Sequence, residues 1–344
     1  MLLYICLVKK LYLLVFFLAA CKHPKQVNST FYYWKTVYQN TAIQTNYLQR
    51  CHAHKLYVRV MDVDLTNGNM PSPVSPIVFK NHLPDTIEIV PVVFIVNDIL
   101  RKIDSTQIKT LAHDIIPYVD SKIKQSGKIA YKEVQIDCDW TAATRDNYFF
   151  LLKQVAKLTH QKHQALSVTL RLHQLKNQKS SGIPPTDRVI LMCYNMGNLR
   201  RYGNQNSILE LSELKKYLGN NLSSYPIPSD IGLPLFSWGV AFRNQQYIGI
   251  SKKLKLGLLS NKNQFKFIGN NLYKATTDLP EYGLLTGDEV RWESVSVNNL
   301  SQAAGYISSF IKSDNVNVIY FHLDDNLINT YTYADLEKTA SLFR

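Results

Sequence analysis

Apolar runs recur along the chain and alternate with stretches of helical periodicity. Runs that are apolar on both faces are typical of strands covered by helices on each side, as in a parallel sheet. Eight such runs predict strands, and they are FYYWKTVY from Phe31, LYVRVMDV from Leu56, EIVPVVFIV from Glu88, EVQIDCDW from Glu133, ALSVTLRL from Ala165, RVILMCYN from Arg188, LPLFSWGVAF from Leu233 and NVIYFHLD from Asn317.

Between these runs, apolar residues return at every third or fourth position, as they do along one face of a helix. The stretch from Leu111 to Ile123 follows this spacing, and Gly127 is placed to end the helix. Strands that alternate with helices in this way predict an α/β fold, a single (β/α)8 TIM-like barrel over residues 30–344. An open doubly wound sheet is the alternative, and it is disfavoured because no glycine-rich phosphate-binding motif follows any strand.

One segment departs from the alternation. Residues 245–314, on approximate boundaries, separate the last two predicted strands and contain several lysines and an extended stretch, EVRWESVS, from Glu289. Long insertions in barrels usually lie over the mouth or pack on the side. We therefore expect an inserted subdomain between the last two strands.

The first twenty residues have the features of a secretory signal peptide. Lys9 and Lys10 precede the apolar run LYLLVFFLAA, which is too short to span a bilayer as a helix. The run ends in Leu-Ala-Ala-Cys at Cys21, which resembles the lipobox of bacterial lipoproteins. We expect cleavage after residue 20, lipidation of Cys21 and a short tether over residues 21–29, with an uncleaved anchor helix as the alternative. The protein would then be held by its lipid at a membrane of the bacterial cell envelope, inner or outer, on the extracytoplasmic side.

Charge and cysteine content narrow the function classes. The formal net charge of +13 favours anionic neighbours such as acidic glycans or lipid headgroups, although a solvated lysine-rich surface without a dedicated anion site is the simpler interpretation of the same charge. Nucleic acid is the usual partner of a basic protein, but an exported location argues against it. Beyond Cys21 the cysteines are Cys51, Cys138 and Cys193, without C-x-x-C spacing, so we expect buried free thiols and neither a zinc site nor a disulfide framework. No cofactor is expected.

Polar residues collect at the carboxyl ends of the predicted strands, where the active sites of barrels lie. On the fourth strand Gln135, Asp137 and Asp139 share one face and alternate with apolar residues. The candidates on the other strands are Trp34 and Lys35 on the first, Asp62 and Asp64 in line with Val58 and Val60 on the second, Asn97 and Asp98 on the third, Thr169, Arg171 and His173 on the fifth, Met192, Tyr194 and Asn195 on the sixth, Trp238 on the seventh, and Tyr320, His322 and Asp324 on the eighth.

These residue types fit carbohydrate chemistry. Crowded carboxylates raise one another's pKa, so one can act as an acid while another stays ionised, as cleavage of a glycosidic bond requires. Tryptophan and tyrosine rings can stack on the apolar faces of sugars. The candidate catalytic residues are Asp137, Asp139, Asp62 and Asp64, and the candidate substrate-binding residues are Trp34, Lys35, Arg171, His173, Tyr194, Asn195, Trp238, His322 and Asp324.

Two other interpretations of the same residues stay open. In the first, Arg171 and Lys35 neutralise the aspartates in a buried network that merely fills the barrel. In the second, aspartate and histidine side chains bind a metal ion, although their spacing carries no metal signature. The ligands would be Asp62, Asp64, His173 and His322.

Two segments resemble motifs of chitinase-type glycoside hydrolases. VQIDCDW in the fourth predicted strand resembles the end of their D-x-x-D-x-D-x-E motif, and MCYN in the sixth resembles their M-x-Y-D. The resemblance implies that Asp137 and Asp139 match the last two aspartates, and that Tyr194 matches the tyrosine that orients the N-acetyl group. Val134 replaces the first aspartate and Thr141 the catalytic glutamate, so a standard chitinase mechanism would lack its proton donor.

The chain as a whole resembles a group of bacterial TIM-barrel lipoproteins. The segments that carry this resemblance are YVRVMDVDL, VPVVFIVND, QIDCDWT, LRLHQ, GIPPTDR, LMCYNMG and LPLFSWG. It implies the barrel and export, and it implies no particular reaction. The expected function is an envelope lipoprotein that binds or hydrolyses a polysaccharide, and the alternative is a glycan-binding or structural lipoprotein built on an inactive barrel.

Overall fold

The computed structural model describes residues 25–66, 70–251 and 253–344. The predicted signal peptide, Cys21 and the first part of the tether lie outside these residues. Within them, no helix is both long enough and apolar enough to cross a membrane.

The strands are distributed along the whole of the described chain. In sequence order they are β1 (Gln26–Tyr33), β2 (Val37–Tyr38), β3 (Lys55–Leu65), β4 (Pro71–Val74), β5 (Val78–Phe79), β6 (Glu88–Ile95), β7 (Glu133–Asp137), β8 (Ala165–Arg171), β9 (Arg188–Met192), β10 (Ser229–Pro234), β11 (Trp238–Arg243), β12 (Gln246–Ser251), β13 (Phe265–Gly269), β14 (Leu272–Ala275), β15 (Glu289–Glu293) and β16 (Asn315–Phe321).

The helices fill most of the intervals between strands. They are α1 (Ala42–Arg50), α2 (Ser105–Gln125), α3 (Arg145–Gln161), α4 (Leu172–Lys176), α5 (Gln178–Ser181), α6 (Leu211–Tyr217), α7 (Asn220–Ser223), α8 (Leu256–Leu259), α9 (Val297–Ser308), α10 (Asp325–Thr330) and α11 (Tyr333–Ser341), with short 3-10 helices at Asn97–Arg101 and Pro280–Tyr282. The longest, α2, begins at a capping box in which Asp104 accepts from the backbone of the first turn, and its apolar stripe is buried as the periodicity predicted.

Eight parallel strands close into a barrel in the order β1, β3, β6, β7, β8, β9, β10 and β16. The closing pair is β16 with β1, in parallel register from Gln26 opposite Asn315 to Phe31 opposite Tyr320. The predicted TIM-like (β/α)8 fold is therefore confirmed. Because all eight strands run the same way, their carboxyl ends meet at one end of the barrel.

The barrel interior is partly aromatic and partly charged. An apolar layer contains Tyr32, Tyr57 and Ile319, each at most 1% exposed. At the amino-terminal end of the strands, the fully buried Asp230 is bonded to the Arg188 guanidinium at 2.8 Å, and burial raises the pKa of its carboxyl to about 6. This paired charge fills the closed end of the barrel and leaves the other end for a site.

The seventh predicted strand is two strands. β10 starts earlier than expected and ends at Pro234, and the apolar run resumes as β11 after a short loop. β11 belongs to a five-stranded antiparallel sheet in the order β12, β11, β15, β14, β13. The inserted sheet thus spans Trp238–Glu293, whereas the sequence predicted an insertion at 245–314. The predicted start is too late because the apolar pattern of β11 looks like that of a barrel strand. The predicted end is too late because α9 already packs on the barrel.

The first barrel strand begins at Gln26, inside the segment that the sequence assigned to the tether. Gln26 and Asn28 are polar and exposed on either side of the half-buried Val27, so no run of apolar residues marks this part of the strand. Their backbone nevertheless pairs with β16. The interval between the predicted lipidation site and the barrel is correspondingly shorter.

The two-residue alternation of strands breaks in two places. In β3 the register to β6 shifts between Arg59 and Met61, which is a bulge. Val58 and Val60 therefore pack toward the helices, whereas Asp62 forms an ion pair with Arg59 on the barrel side, so these residues do not share one face as expected. In β16, Tyr320 points outward and donates to the Leu336 carbonyl, and it does not align with the site.

Candidate functional site

A cavity of about 590 Å³ opens at the carboxyl ends of the barrel strands, a size typical of small-molecule sites. One side is formed by barrel strands and the loops that follow them, and the other by the inserted sheet. Its lining residues are Tyr32, Trp34, Phe94, Asp137, Asp139, Thr169, Met192, Tyr194, Asn195, Leu235, Phe236, Ser237, Trp238, Lys255, Leu256, Trp292, Ser294, Val295, Phe321, His322, Asp324, Thr330 and Tyr331.

The deepest acidic group of this cavity is Asp137, the last residue of β7. Its side chain is held by the Thr169 hydroxyl on β8, which donates to Oδ1 at 2.5 Å. Only 5% of Asp137 is exposed, and this burial, together with the nearby negative charge of Asp139, raises its pKa to about 7. Asp137 can therefore hold or release a proton near neutral pH, as an acid or base in a reaction must.

Asp139 is in a different environment, although it lies only two residues further on. Its carboxylate accepts a hydrogen bond from Arg171 at 2.7 Å, and its side chain is 46% exposed. The two aspartates thus lie in contrasting environments, since Asp137 is buried with a raised pKa and Asp139 is half exposed and paired with a cation. Pairs of carboxyls in contrasting environments are characteristic of acid–base chemistry.

Aromatic rings form a connected wall around these carboxyls. Trp34 packs on Phe321 with ring centroids 5.4 Å apart, and Phe321 packs on Tyr194 at 5.5 Å. Phe236 lies edge-on to Tyr194 at 5.9 Å and continues to Trp238 at 5.1 Å. These side chains come from the residue after β1, from β16, from the loop after β9 and from the loop and strand after β10, so the barrel closure itself assembles the wall.

A glycine makes room for one of these rings. A Cβ atom at Gly232 of β10 would lie 3.3 Å from Cε1 of Tyr194. The ring can therefore pack closely against β10, and burial raises the pKa of its hydroxyl far above the usual value, which keeps the hydroxyl protonated.

A buried ion pair joins the inserted sheet to the barrel. Arg291 and Glu293 of β15 are 0% and 1% exposed, and Nε of Arg291 donates to Glu293 at 2.7 Å. The indole of Trp238 donates to Glu293 at 2.9 Å, and the Ser207 backbone and hydroxyl donate to the same carboxylate. Arg291 also donates to the Leu199 carbonyl and to two further carbonyls of the loop after β9. The wall of the cavity is thereby tied to the loop that follows Tyr194.

Most of the predicted site residues meet at this cavity. Those that line it are Trp34, Asp137, Asp139, Tyr194, Asn195, Trp238, His322 and Asp324. Two more lie just behind it as counter-ions, since Arg171 pairs with Asp139 and Lys35 pairs with Asp324 at 3.3 Å.

Three of the residues assigned to catalysis or substrate binding do not line the cavity. Asp62 is bonded to Arg59 at 3.2 Å, and burial raises the pKa of its carboxyl. Asp64 bonds the Leu65 amide at 2.7 Å. His173 is exposed because the chain enters α4 directly after β8, which carries the side chain away from the strand's inner face.

The metal interpretation finds no support in the geometry. In residues 25–66, 70–251 and 253–344, no three His, Cys, Asp or Glu side chains come together as metal ligands would. The expected set of Asp62, Asp64, His173 and His322 is therefore not a cluster.

Thr141 stands where the chitinase motif has its glutamate, and it does not replace that group's chemistry. It is exposed in the turn before α3, where its backbone amide donates to the Thr144 hydroxyl at 2.9 Å, and it is not among the lining residues. No carboxylate is present at this position.

Several lining residues were missed by the sequence analysis. Phe236 lies in the loop between β10 and β11, and Lys255 and Trp292 belong to the insertion. The aromatic run LFSW gave a signal for the first. The other two come to the cavity only because the inserted sheet folds over the barrel mouth, which no local pattern encodes.

Comparison with known proteins gives structural likeness only. No protein-family model matches the chain, and no curated protein does. The spore cortex-lytic enzyme SleL of Bacillus megaterium QM B1551 has a TM-score of 0.57 and 12% identity over 94% of this chain and 76% of its own. A chitinase from Chromobacterium violaceum ATCC 12472 has a TM-score of 0.53 and 12% identity, over 92% of this chain and 98% of its own. A Group IV chitinase from Ostrinia furnacalis has a TM-score of 0.52 and 10% identity, over 92% of this chain and 100% of its own. At such identities the likeness shows the fold, and the predicted resemblance to chitinase-type barrels is confirmed at that level.

Proposed function

We propose that the cavity binds a carbohydrate chain. The observation that carries this proposal is the connected aromatic wall, Trp34–Phe321–Tyr194–Phe236–Trp238, which surrounds the polar groups Asp137 and Asp139. Flat apolar rings beside a few hydrogen-bonding groups match sugars, whose ring faces are apolar and whose edges carry hydroxyls. The similar structures are named as chitinases and a spore cortex-lytic enzyme, which supports a polysaccharide as the class of ligand.

Hydrolysis is a second candidate, and the environment of Asp137 favours it. A carboxyl with a pKa near 7 is protonated in part at neutral pH and can donate to a leaving oxygen. Asp139, which pairs with Arg171 at 2.7 Å, could then stabilise positive charge that develops on the sugar. Because position 141 carries no glutamate, any proton donor must be a group such as Asp137, and binding without turnover remains the primary proposal.

The test compares binding and cleavage directly. The protein is titrated with chitin oligosaccharides and with glycan strands from peptidoglycan while tryptophan fluorescence is followed, and the products are analysed by mass spectrometry. We expect saturable binding, and Trp34→Ala should weaken it on the order of tenfold through lost ring contact. Phe267→Ala is the matched control, since Phe267 is 59% exposed on the insertion and outside the cavity.

Two results decide between the candidates. Absence of binding to every glycan, or equal effects of the two aromatic substitutions, would contradict the carbohydrate proposal. New reducing ends that appear with wild type and vanish with Asp137→Asn would establish hydrolysis through that carboxyl. Binding without products would leave the protein as a glycan-binding barrel.

We also propose that the protein is a lipoprotein anchored through Cys21. Only residues 22–25 separate this cysteine from β1, and β1 begins at the amino-terminal end of the barrel, opposite the cavity. The cavity would then face away from the membrane, toward glycans outside it. Metabolic labelling with palmitate tests this proposal, because Cys21→Ala should abolish the label, and Cys51→Ala, a buried free cysteine, should keep it.

A further inference from the structure

The carboxylates of the cavity are largely compensated by the protein itself. Asp139 is paired with Arg171 at 2.7 Å, and Asp324 with Lys35 at 3.3 Å. Asp137 is buried, and its pKa near 7 means that it carries only part of a negative charge at neutral pH. The barrel side of the cavity is therefore close to neutral despite its three acidic residues.

The insertion adds a positive charge to this cavity. Lys255 follows β12, is exposed, and lines the cavity beside Leu256. Across the described ranges, no carboxylate forms an ion pair with its ammonium group. Four of the five acidic residues of the insertion are engaged elsewhere: Asp278 with Thr286, Asp288 with Arg243 at 2.7 Å, Glu289 with the Tyr202 hydroxyl and Glu293 with Arg291.

The rest of the insertion also carries exposed positive charge. Four further lysines of the insertion are exposed, namely Lys253, Lys262, Lys266 and Lys274. An ammonium group at the edge of an aromatic cavity interacts with a bound anion in a medium less polar than bulk water, so the attraction exceeds that on an open surface. A cation without a partner in a site otherwise balanced in charge is available for a ligand.

We propose that the glycan bound in this cavity carries an anionic substituent, a carboxylate or a phosphate, and that Lys255 contacts it. This inference rests on the proposed carbohydrate function and specifies its substrate class. The aromatic wall binds the sugar faces, and Lys255 selects chains that bear negative charge. A lysine suits either anion, because its ammonium is a point charge without the fixed fork of arginine.

Four tetrasaccharide probes test the inference by calorimetric titration. They are a neutral chitin tetrasaccharide, a peptidoglycan tetrasaccharide with free lactyl carboxylates, the methyl ester of that same tetrasaccharide, and a 6-phosphorylated chitin tetrasaccharide. We expect the free acid to bind about three- to fivefold more tightly than its ester, and the preference to shrink at high salt. The phosphorylated probe shows whether any anion serves or only a carboxylate.

Lys255→Gln should bring the affinities for the free acid and its methyl ester to the same value, with both probes measured on the same variant so that any general change in glycan affinity cancels in the ratio. Lys262→Gln is the matched control, an exposed lysine of the same insertion that does not line the cavity, and it should keep the preference. Equal affinity of wild type for acid and ester, or a preference that survives Lys255→Gln, overturns the inference while carbohydrate binding stands. Failure of all four probes to bind overturns both.

Discussion

The substitution Asp137→Asn isolates the cost of burying one carboxyl beneath the cavity. Asparagine has nearly the same shape, and its side-chain oxygen can still accept from the Thr169 hydroxyl, which bonds Asp137 Oδ1 at 2.5 Å. What the substitution removes is a group whose pKa in the folded protein is about 7, against an ordinary value of 3.8. We therefore expect the variant to be more stable than wild type, by an amount that depends on pH.

The sign follows from proton linkage. Because the folded state holds the proton to higher pH than the unfolded state does, wild type has its full stability below about pH 4 and loses stability as the pH rises toward 7. A shift of about 3 units corresponds to about 4 kcal/mol at pH 8, and the portion already lost at pH 5 is about 2 kcal/mol. Asparagine does not titrate, so Asp137→Asn should gain about 2 kcal/mol at pH 5 and about 4 kcal/mol at pH 8.

Urea unfolding at the two pH values measures this difference, with each variant referred to wild type at the same pH so that other titrating groups cancel. Asp146→Asn is the control, because the Asp146 side chain is 81% exposed and pairs with its neighbour Arg145, so its substitution should change stability by less than about 1 kcal/mol at both pH values. Arg171→Met removes a charge that lowers the pKa of Asp137 and should move the loss of stability to higher pH. A gain for Asp137→Asn that is equal at pH 5 and pH 8 would refute the reasoning.

Two further substitutions test how the cavity is built. Glu293→Gln leaves a buried guanidinium without its counter-charge and should destabilise the protein by about 3–5 kcal/mol in urea unfolding. One of the two oxygens that accept from Arg291 and from Trp238 becomes an amide donor, so tryptophan emission should change as well. An unchanged unfolding midpoint would contradict the role given to this pair. Gly232→Ala places a methyl group 3.3 Å from the ring of Tyr194 and should displace that ring. The loss of glycan-binding free energy should then exceed the loss of unfolding free energy. Glycan affinity equal to that of wild type would show that the ring position does not matter.

The carboxyls of β7 were predictable because that strand obeys its own sequence pattern. Gln135 and Asp137 point inward, and Ile136 between them packs toward the helices, as alternation requires. No bulge interrupts the register of β7 with β6 or β8. Where backbone pairing is regular, a polar residue in an apolar strand identifies the inner face directly.

The errors arose where the backbone is irregular or the pattern is ambiguous. The bulge in β3 changes which residues face the barrel interior after Arg59. The sequence around the bulge, with valines and then aspartates at every second position, looks like an uninterrupted strand and does not reveal the change. In β16, Tyr320 and Phe321 are both aromatic, so alternation could not choose between them, and it is Phe321 that joins the cavity wall. Tertiary packing decides such cases.

The contribution of the insertion could not be predicted for a different reason. Lys255 and Trp292 are neighbours of the barrel aspartates only because the inserted sheet folds across the mouth. The sequence indicates that a segment of this length must lie somewhere over the barrel or beside it. It does not indicate which of its side chains reach the cavity.

The ion pair of β15 explains why this sheet takes one position over the cavity. A buried pair of charges is seldom more stable than apolar residues of the same size, so Arg291 and Glu293 are better understood through the arrangement that they require. Shifting β15 by one residue would turn both charges from the barrel-facing side of the sheet into the apolar cluster that contains Leu254 and Leu284 on its other side. It would also break the bonds from Arg291 to the loop carbonyls and the bond from Trp238 to Glu293. The cost of that misplacement is far larger than the cost of the pair itself, so the network selects one register and, with it, one shape of the cavity wall.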